Sequence, residues 1–210
     1  MPVSSPINVP RPIEIKRLPW MRRIHVHSPK LARTLVLFSE QSVNAWALIE
    51  SCPQITNFCE HPGFIDVDGQ WVLAEFWVKG DGPQAFLTLA NAIELLPEYP
   101  KQAPTFTGVA ISRVPSDWFE PYHHWIANWL QINPYLVSNA RFVTSEMLEQ
   151  VAGIFKAARP LYDAEHALRD MDRQLVRTAI FMLLHQGRLR SDELARGPLA
   201  GTTEFHRNDV

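Results

Sequence analysis

Ile55–Val78, ITNFCEHPGFIDVDGQWVLAEFWV, decides the fold of this 210-residue chain. Ile55–Glu60 is a short run of β-branched and aromatic residues that follows Pro53 and stops before Pro62. Gly63–Val67 and Gln70–Val78 flank Asp68-Gly69, a pair that accepts the positive φ of a two-residue hairpin. The second of these runs is rich in aromatic residues. Gly80-Asp81-Gly82-Pro83 is a further turn, and Ala85–Leu89 (AFLTL) a further strand. The pattern predicts an antiparallel meander.

Upstream, Ser28-Pro29 has the form of a helix start, with Ser at the N-cap and Pro at the first helical position. It predicts a helix over 29–51 with Leu31, Leu35, Phe38, Val43, Ala47 and Leu48 facing inward, stopped by Pro53. Downstream, the periodicity predicts helices over 90–96, 118–130 and 144–158, the last with Ser145 near its start, and a strand over 106–111. Gln174–Leu184 (QLVRTAIFMLL) is a helix apolar on one face. Gly187 breaks it, Ser191 opens the short helix SDELA, and a polar segment follows Pro198 as a third helix or strand. Helix, turn, short helix and polar element is the order of a winged-helix or helix-turn-helix module. Its expected DNA contacts are Arg188, Arg190, Arg196, Thr202, Thr203, His206 and Arg207, side chains that suit phosphates and base edges.

Charge is uneven. The net charge is −2, yet residues 1–33 hold seven Lys/Arg against Glu14, and five prolines before residue 20 forbid regular helix there. Residues 34–168 carry a balance of −9 and residues 169–210 one of +1. A nucleic-acid protein needs a local basic footprint rather than a basic total, so residues 1–23 are expected to touch phosphates through Arg22 and Arg23 among others. Hydrophobic content of 46% and charged content of 20% fit a globular chain with a real core. No apolar run approaches a membrane span, and the first residues lack the apolar core of a secretion signal. Cys52 and Cys59 fit buried free thiols better than a disulfide framework or a zinc site, which places the expectation in the cytoplasm. His123-His124 reads as packing or surface because adjacent helical side chains diverge by about 100°. Trp71, Trp77, Trp118, Trp125 and Trp129 read mostly as core. No Gly-rich phosphate loop and no nucleophile elbow is present.

Helix, strand, hairpin, strand, strand, helix, strand is the core order of a restriction-endonuclease-like fold. Pro53–Ile65, then Asp68-Gly69, then Ala74-Glu75-Phe76-Trp77-Val78 resembles the N-terminal domain of TnsA, the endonuclease subunit of heteromeric transposases. The family pattern is D-P-x-V-x-x-F/Y-x-E-Q-P, a hairpin, P-D-F-x-V and a later E-x-K. Its C-terminal part is a winged helix, which Leu183–Leu189, Asp192-Glu193-Leu194 and Thr202-Thr203 match in style. The resemblance implies an α/β chain: a mixed sheet with flanking helices over 24–112, a helical connector over 113–165, and a winged-helix domain over 166–210. It also implies double-stranded DNA and a transposase or recombinase subunit as partners.

The departures from that pattern matter for function. A nuclease of this family holds Mg²⁺ with carboxylates and keeps a Lys beside them. The early-helix acid falls on His27–Arg33, which has none; Glu75 stands for the motif Asp; the E-x-K pair falls on Phe86–Leu89. The resemblance therefore implies a DNA-binding accessory subunit with a vestigial site and no cofactor. Two alternatives stay open. A migrated Mg²⁺ site could use Asp66 or Asp68 with Glu75 and Lys79, four residues apart on one strand. The chain could also be a protein-docking scaffold.

Overall fold

The structure, a computed structural model, describes residues 9–15, 22–90 and 103–208. They form two compact units, one of residues 1–49 and 54–119, the other of residues 50–53 and 120–210. No helix among the described residues is long and apolar enough to cross a membrane.

The first unit opens with a hairpin where a helix was expected. β1 (Ile24–Ser28) pairs antiparallel with β2 (Arg33–Leu37). Ser28 does act as a cap, its Oγ accepting the Leu31 N–H at 3.1 Å, but it closes a β-turn. Ile24-His-Val-His and Arg33-Thr-Leu-Val-Leu are β-branched alternations, and Ala32 takes the positive φ the turn needs. The helix α1 (Glu40–Ser51) starts only after Ser39, whose Oγ accepts the Ser42 N–H at 3.0 Å.

β3 (Ile55–Glu60), β4 (Phe64–Val67), β5 (Gln70–Leu73), β6 (Phe76–Gly80) and β7 (Ala85–Leu89) follow. The single strand expected over 70–78 is two, and they lie in different sheets. Leu73, Ala74, Glu75, Phe76 and Trp77 are all buried, which one pleated strand facing one core cannot achieve. The chain bends at Glu75 instead. Ala74 N–H donates to the Gly63 carbonyl and Glu75 N–H to the Leu87 carbonyl, so the backbone changes partners there.

β8 (Thr105–Phe106) and β9 (Ile111–Val114) replace the strand expected over 106–111. The sheets are β5-β4-β8 and β3-β6-β7-β9, and β4·β8 and β7·β9 are parallel pairs. The connected strands are therefore mixed rather than a pure antiparallel meander. The helix expected over 90–96 lies outside the described residues except for Ala90. Gly63 permits the β4·β8 pairing, since a Cβ there would stand 2.3 Å from the Pro104 carbonyl oxygen.

One core cluster joins Cys59, Ile65, Ala74, Trp77 and Phe86; another joins Ile15, Phe64 and Leu73 with Ile13 and Phe38. Ile13 and Ile15 thus anchor the segment 9–15, whose other residues are mostly exposed, and Ile13 N–H donates to the His61 carbonyl at 2.9 Å.

A 3₁₀ turn over Ser116–Tyr122, which begins in the first unit and ends in the second, leads into α2 (His123–Asn139), where one helix over 118–130 was expected. α3 (Ser145–Gly153) is capped by Thr144 and ends five residues short of the expected Ala158. β10 (Arg159–Pro160), α4 (Leu161–Ala167), α5 (Arg173–His185), β11 (Leu189–Arg190) and β12 (Glu204–Arg207) complete the second unit. Asp172 caps α5 through the N–H groups of Gln174 and Leu175. The strand order is β10-β12-β11. The expected short helix SDELA is a single 3₁₀ turn, Glu193–Ala195, and the element after Pro198 is the strand β12.

α5 is not apolar on one face only. Val176, Thr178, Ala179, Ile180, Phe181, Leu183 and Leu184 are all buried. Successive residues turn by about 100°, so four consecutive buried positions close the circumference. α2, α3 and α4 supply the cover.

Candidate functional site

Glu75 ends the bend between two sheets, and its carboxylate is buried. Its partner is His61, whose Nε2 lies 3.3 Å from Glu75 Oε1, with both side chains no more than 5% exposed. His61 holds a left-handed backbone (φ 42°), costly for a residue with a Cβ, and its ring rests on Phe38 at 5.2 Å. Pairing in the adjacent strands fixes this arrangement, because His61 N–H donates to the Glu75 carbonyl. Next to it, Glu60 receives both terminal nitrogens of Arg33. The Glu60 hydrogen bond raises the Arg33 pKa against the burial that would lower it. Cys59 has its thiol pushed up to about 12, first by burial and then by the Glu60 charge, so it is an inert core thiol.

The residues of the migrated metal site are not brought together. Asp66 and Asp68 are exposed on the β4–β5 hairpin: Asp66 accepts the Gly69 N–H, and Asp68 pairs with Arg113. Asp68 and Gly69 both have positive φ, as a two-residue turn requires. Lys79 is exposed on β6 while Glu75 is buried before it. The strand beside Glu75 is β7, with Phe86, Thr88 and Leu89 buried. A Mg²⁺ ion needs several oxygen donors at one point. Around Glu75 stand a histidine, the arginine-bound carboxylate of Glu60 and a strand with Phe86, Thr88 and Leu89 buried, a set that does not fit it. Among the described residues no group of three or more His, Cys, Asp or Glu could hold a metal ion.

In the second unit the expected DNA contacts divide. Arg190 and His206 stand opposite each other on β11 and β12, with Arg190 Nε 3.2 Å from His206 Nδ1. Arg207 is exposed at the next register position, opposite Leu189. Arg188 precedes β11 and pairs with Glu149 at 2.8 Å. That hydrogen bond raises the Arg188 pKa and lowers that of Glu149, so each group favours the charged form of the other. Arg196 and Thr202 are exposed on the connection from β11 to β12. Thr203 is a correction: it is 4% exposed, its Oγ accepts the Ala200 N–H, and its carbonyl accepts the Leu161 N–H. It holds a turn and offers nothing to a ligand. Arg22 and Arg23 are exposed in the first unit.

Two residues that sequence reasoning passed over hold this region. Asn128 on α2 is 1% exposed and makes three hydrogen bonds to the β11–β12 connection: Nδ2 donates to the carbonyls of Leu194 and Gly197, and Oδ1 accepts the Leu199 N–H. Asn128 is one of three Asn in α2, and nothing in the sequence marks it out from Asn133 or Asn139. Glu165 on α4 is buried and accepts from Arg173 Nε and Arg177 Nε, both at 2.6 Å. For Arg177 burial is the largest influence and lowers its pKa, but Glu165 and Tyr135 together more than offset it. The α5 arginines are therefore spent inside the unit.

The aromatic readings need revision as well. Trp77 and Trp129 are buried, but Trp71 and Trp118 are more than two-fifths exposed. The rings of His123 and His124 meet, with centroids 3.9 Å apart, because His123 begins the helix and its ring nitrogen binds the Glu120 carbonyl. No family model matches the chain, and no curated protein matches it.

Proposed function

We propose that this chain is a DNA-binding accessory subunit of a transposition or recombination complex, related in architecture to TnsA-type endonucleases and inactive as a nuclease. The observation that carries the reading is the β11–β12 hairpin with Arg188, Arg190, His206 and Arg207 on it. Its setting supports this: helix, strand, helix, helix, strand, strand with the first strand beside the last is the winged-helix order. In that fold DNA is met by a recognition helix and by the wing. α5 has the recognition helix's place in that order, but its surface is buried on every side from Thr178 to Phe181 and exposed only at Arg173 and Gln174 of its first turn, which leaves the wing as the more open element. Arg side chains on a strand pair reach phosphates or enter a minor groove. The buried His61–Glu75 pair and the apolar β7 support a lost cutting site in the first unit. A transposase or recombinase would supply the chemistry.

Binding of a blunt duplex by the full chain, followed over a salt series, tests this. Replacing Arg190 and Arg207 together by Ala is expected to lower the log–log salt slope by about 1.8, from about 0.9 per phosphate contact. An unchanged slope refutes the wing as the DNA contact. Supercoiled plasmid incubated with Mg²⁺ or Mn²⁺ is expected to stay intact; cutting that Glu75→Ala abolishes restores the nuclease reading.

One observation favours the scaffold reading instead. Leu130 and Val137 on α2 and Phe142 beyond it are exposed, at 39%, 41% and 53%. A chain that binds no duplex but binds a partner protein through this face would replace the DNA proposal.

A further inference from the structure

Arg159 differs from the other half-buried arginines of the described residues. Arg33, Arg177 and Arg188 each hold a carboxylate. Arg159, at the start of β10, has no hydrogen bond or ion pair from its side chain among the described residues. A guanidinium partly withdrawn from water without an anion is a binding group awaiting one. It borders an open groove of about 550 Å³ shared with Tyr162, Asp163 and His166 of α4. Tyr162 is 49% exposed, and its ring lies against that of His166 with centroids 4.6 Å apart and planes 34° from parallel. The base of the tyrosine is fixed, because its N–H donates to the Gly201 carbonyl at 2.8 Å. Gly201 lies in the connection that leads into β12, so the groove adjoins the wing.

We infer that this groove binds an unpaired nucleotide at a DNA end, its base stacked on Tyr162 and His166 and its phosphate on Arg159. The inference rests on the DNA-binding reading and adds a substrate class to it: duplex with a single-stranded tail. A large exposed aromatic ring beside a free cation matches a ligand with both a π-face and an anion. Asp163 decides between two ligands of that kind. It would repel the dianionic phosphate of a phosphotyrosine peptide. It tolerates a singly charged phosphodiester and can accept a hydrogen bond from the amine of an adenine.

Two ligands test the site with the full chain: a blunt duplex and the same duplex with a short deoxyadenosine tail, at either end polarity. The tail is expected to tighten binding about tenfold, the effect of one stacked base. Tyr162→Ala should remove that gain and leave blunt binding unchanged, and Tyr162→Phe should keep it. Arg159→Gln should lower the salt slope of tail binding by about 0.7. If blunt duplex binds and the tail adds nothing, or if Tyr162→Ala keeps the gain, the inference is overturned and the DNA reading stands. If blunt duplex fails while a single-stranded oligonucleotide binds through Tyr162, the groove stands and the duplex reading falls. Failure of both, or displacement of the tail by a phosphotyrosine peptide, overturns the groove as well.

Discussion

α5 and the β11–β12 hairpin are neighbours in the chain, and both carry arginines. In α5, Arg173 and Arg177 close on the buried Glu165, and seven other residues, from Val176 to Leu184, are buried in the core. In the hairpin, Arg190 and Arg207 face water, with His206 beside Arg190. The same residue type is a structural clamp in one element and an open cation in the next. What separates them is a buried carboxylate within hydrogen-bond reach: Glu165 holds both α5 arginines, whereas the exposed Glu149 acts on Arg207 only through its charge, and no local pattern in the sequence reports that. The contrast gives α5 a structural part and leaves the hairpin cations open to solvent.

Substitution of Phe181 gives the largest effect. It is fully buried and packs edge-on to Tyr135 at 5.3 Å and near Phe205 at 6.4 Å. Phe181→Ala is expected to cost about 3–5 kcal/mol in urea unfolding of the second unit, by lost burial plus a cavity. A loss below about 1 kcal/mol, within the range of surface substitutions, would show that α5 has an open face after all.

Asn128 ties α2, which covers α5, to the connection of the hairpin, and its effect is intermediate. Asn128→Ala leaves two buried carbonyls and the Leu199 N–H without their partner. A cost of about 2–4 kcal/mol is expected, from the desolvation of groups left unpaired. DNA affinity measured under folding conditions should fall as well, because the connection that holds the hairpin loosens. A stability loss with DNA affinity unchanged would separate the connection from binding.

The smallest effect sharpens the contrast from the other side. Glu149 neutralises Arg188, whose hydrogen bond holds the Glu149 pKa below the ordinary carboxylate value. Glu149→Gln removes that negative charge at any pH and is expected to tighten duplex binding about two- to fivefold at low salt by uncovering the cation. No change would mean that Arg188 is outside the DNA footprint.

Local chemistry made several elements legible. Ile55–Glu60 and Ala85–Leu89 occur as read, Asp68-Gly69 forms its turn, and α5 lies within one residue of its expected bounds. The helix expected from Pro29 failed because a Ser that accepts an N–H three residues on also closes a hairpin turn, and the β-branched flanks decided which. The break at Glu75 was hidden because a run of buried residues looks alike whether one strand or two carries it. The site residues were the least legible. Thr203 and Asp66 are polar residues used by turns, and Asn128, Glu165 and His61 matter through partners at least eight residues away. Distance along the chain erases that information from any short pattern.

The cover that α2 and α3 give α5 bears on how this polypeptide can be inherited. A piece of chain moves between genes intact only if it carries its own core. Here that piece is larger than the segment 166–210 expected as a domain. A cut before residue 166 would keep α5 and the hairpin but discard α2 and α3, leaving Ile180, Phe181 and Leu183 without cover and the β11–β12 connection without Asn128. The unit of exchange has to include α2, and the compact unit to which α2 belongs takes in residues 50–53 as well as 120–210, so no single cut in the chain frees it whole.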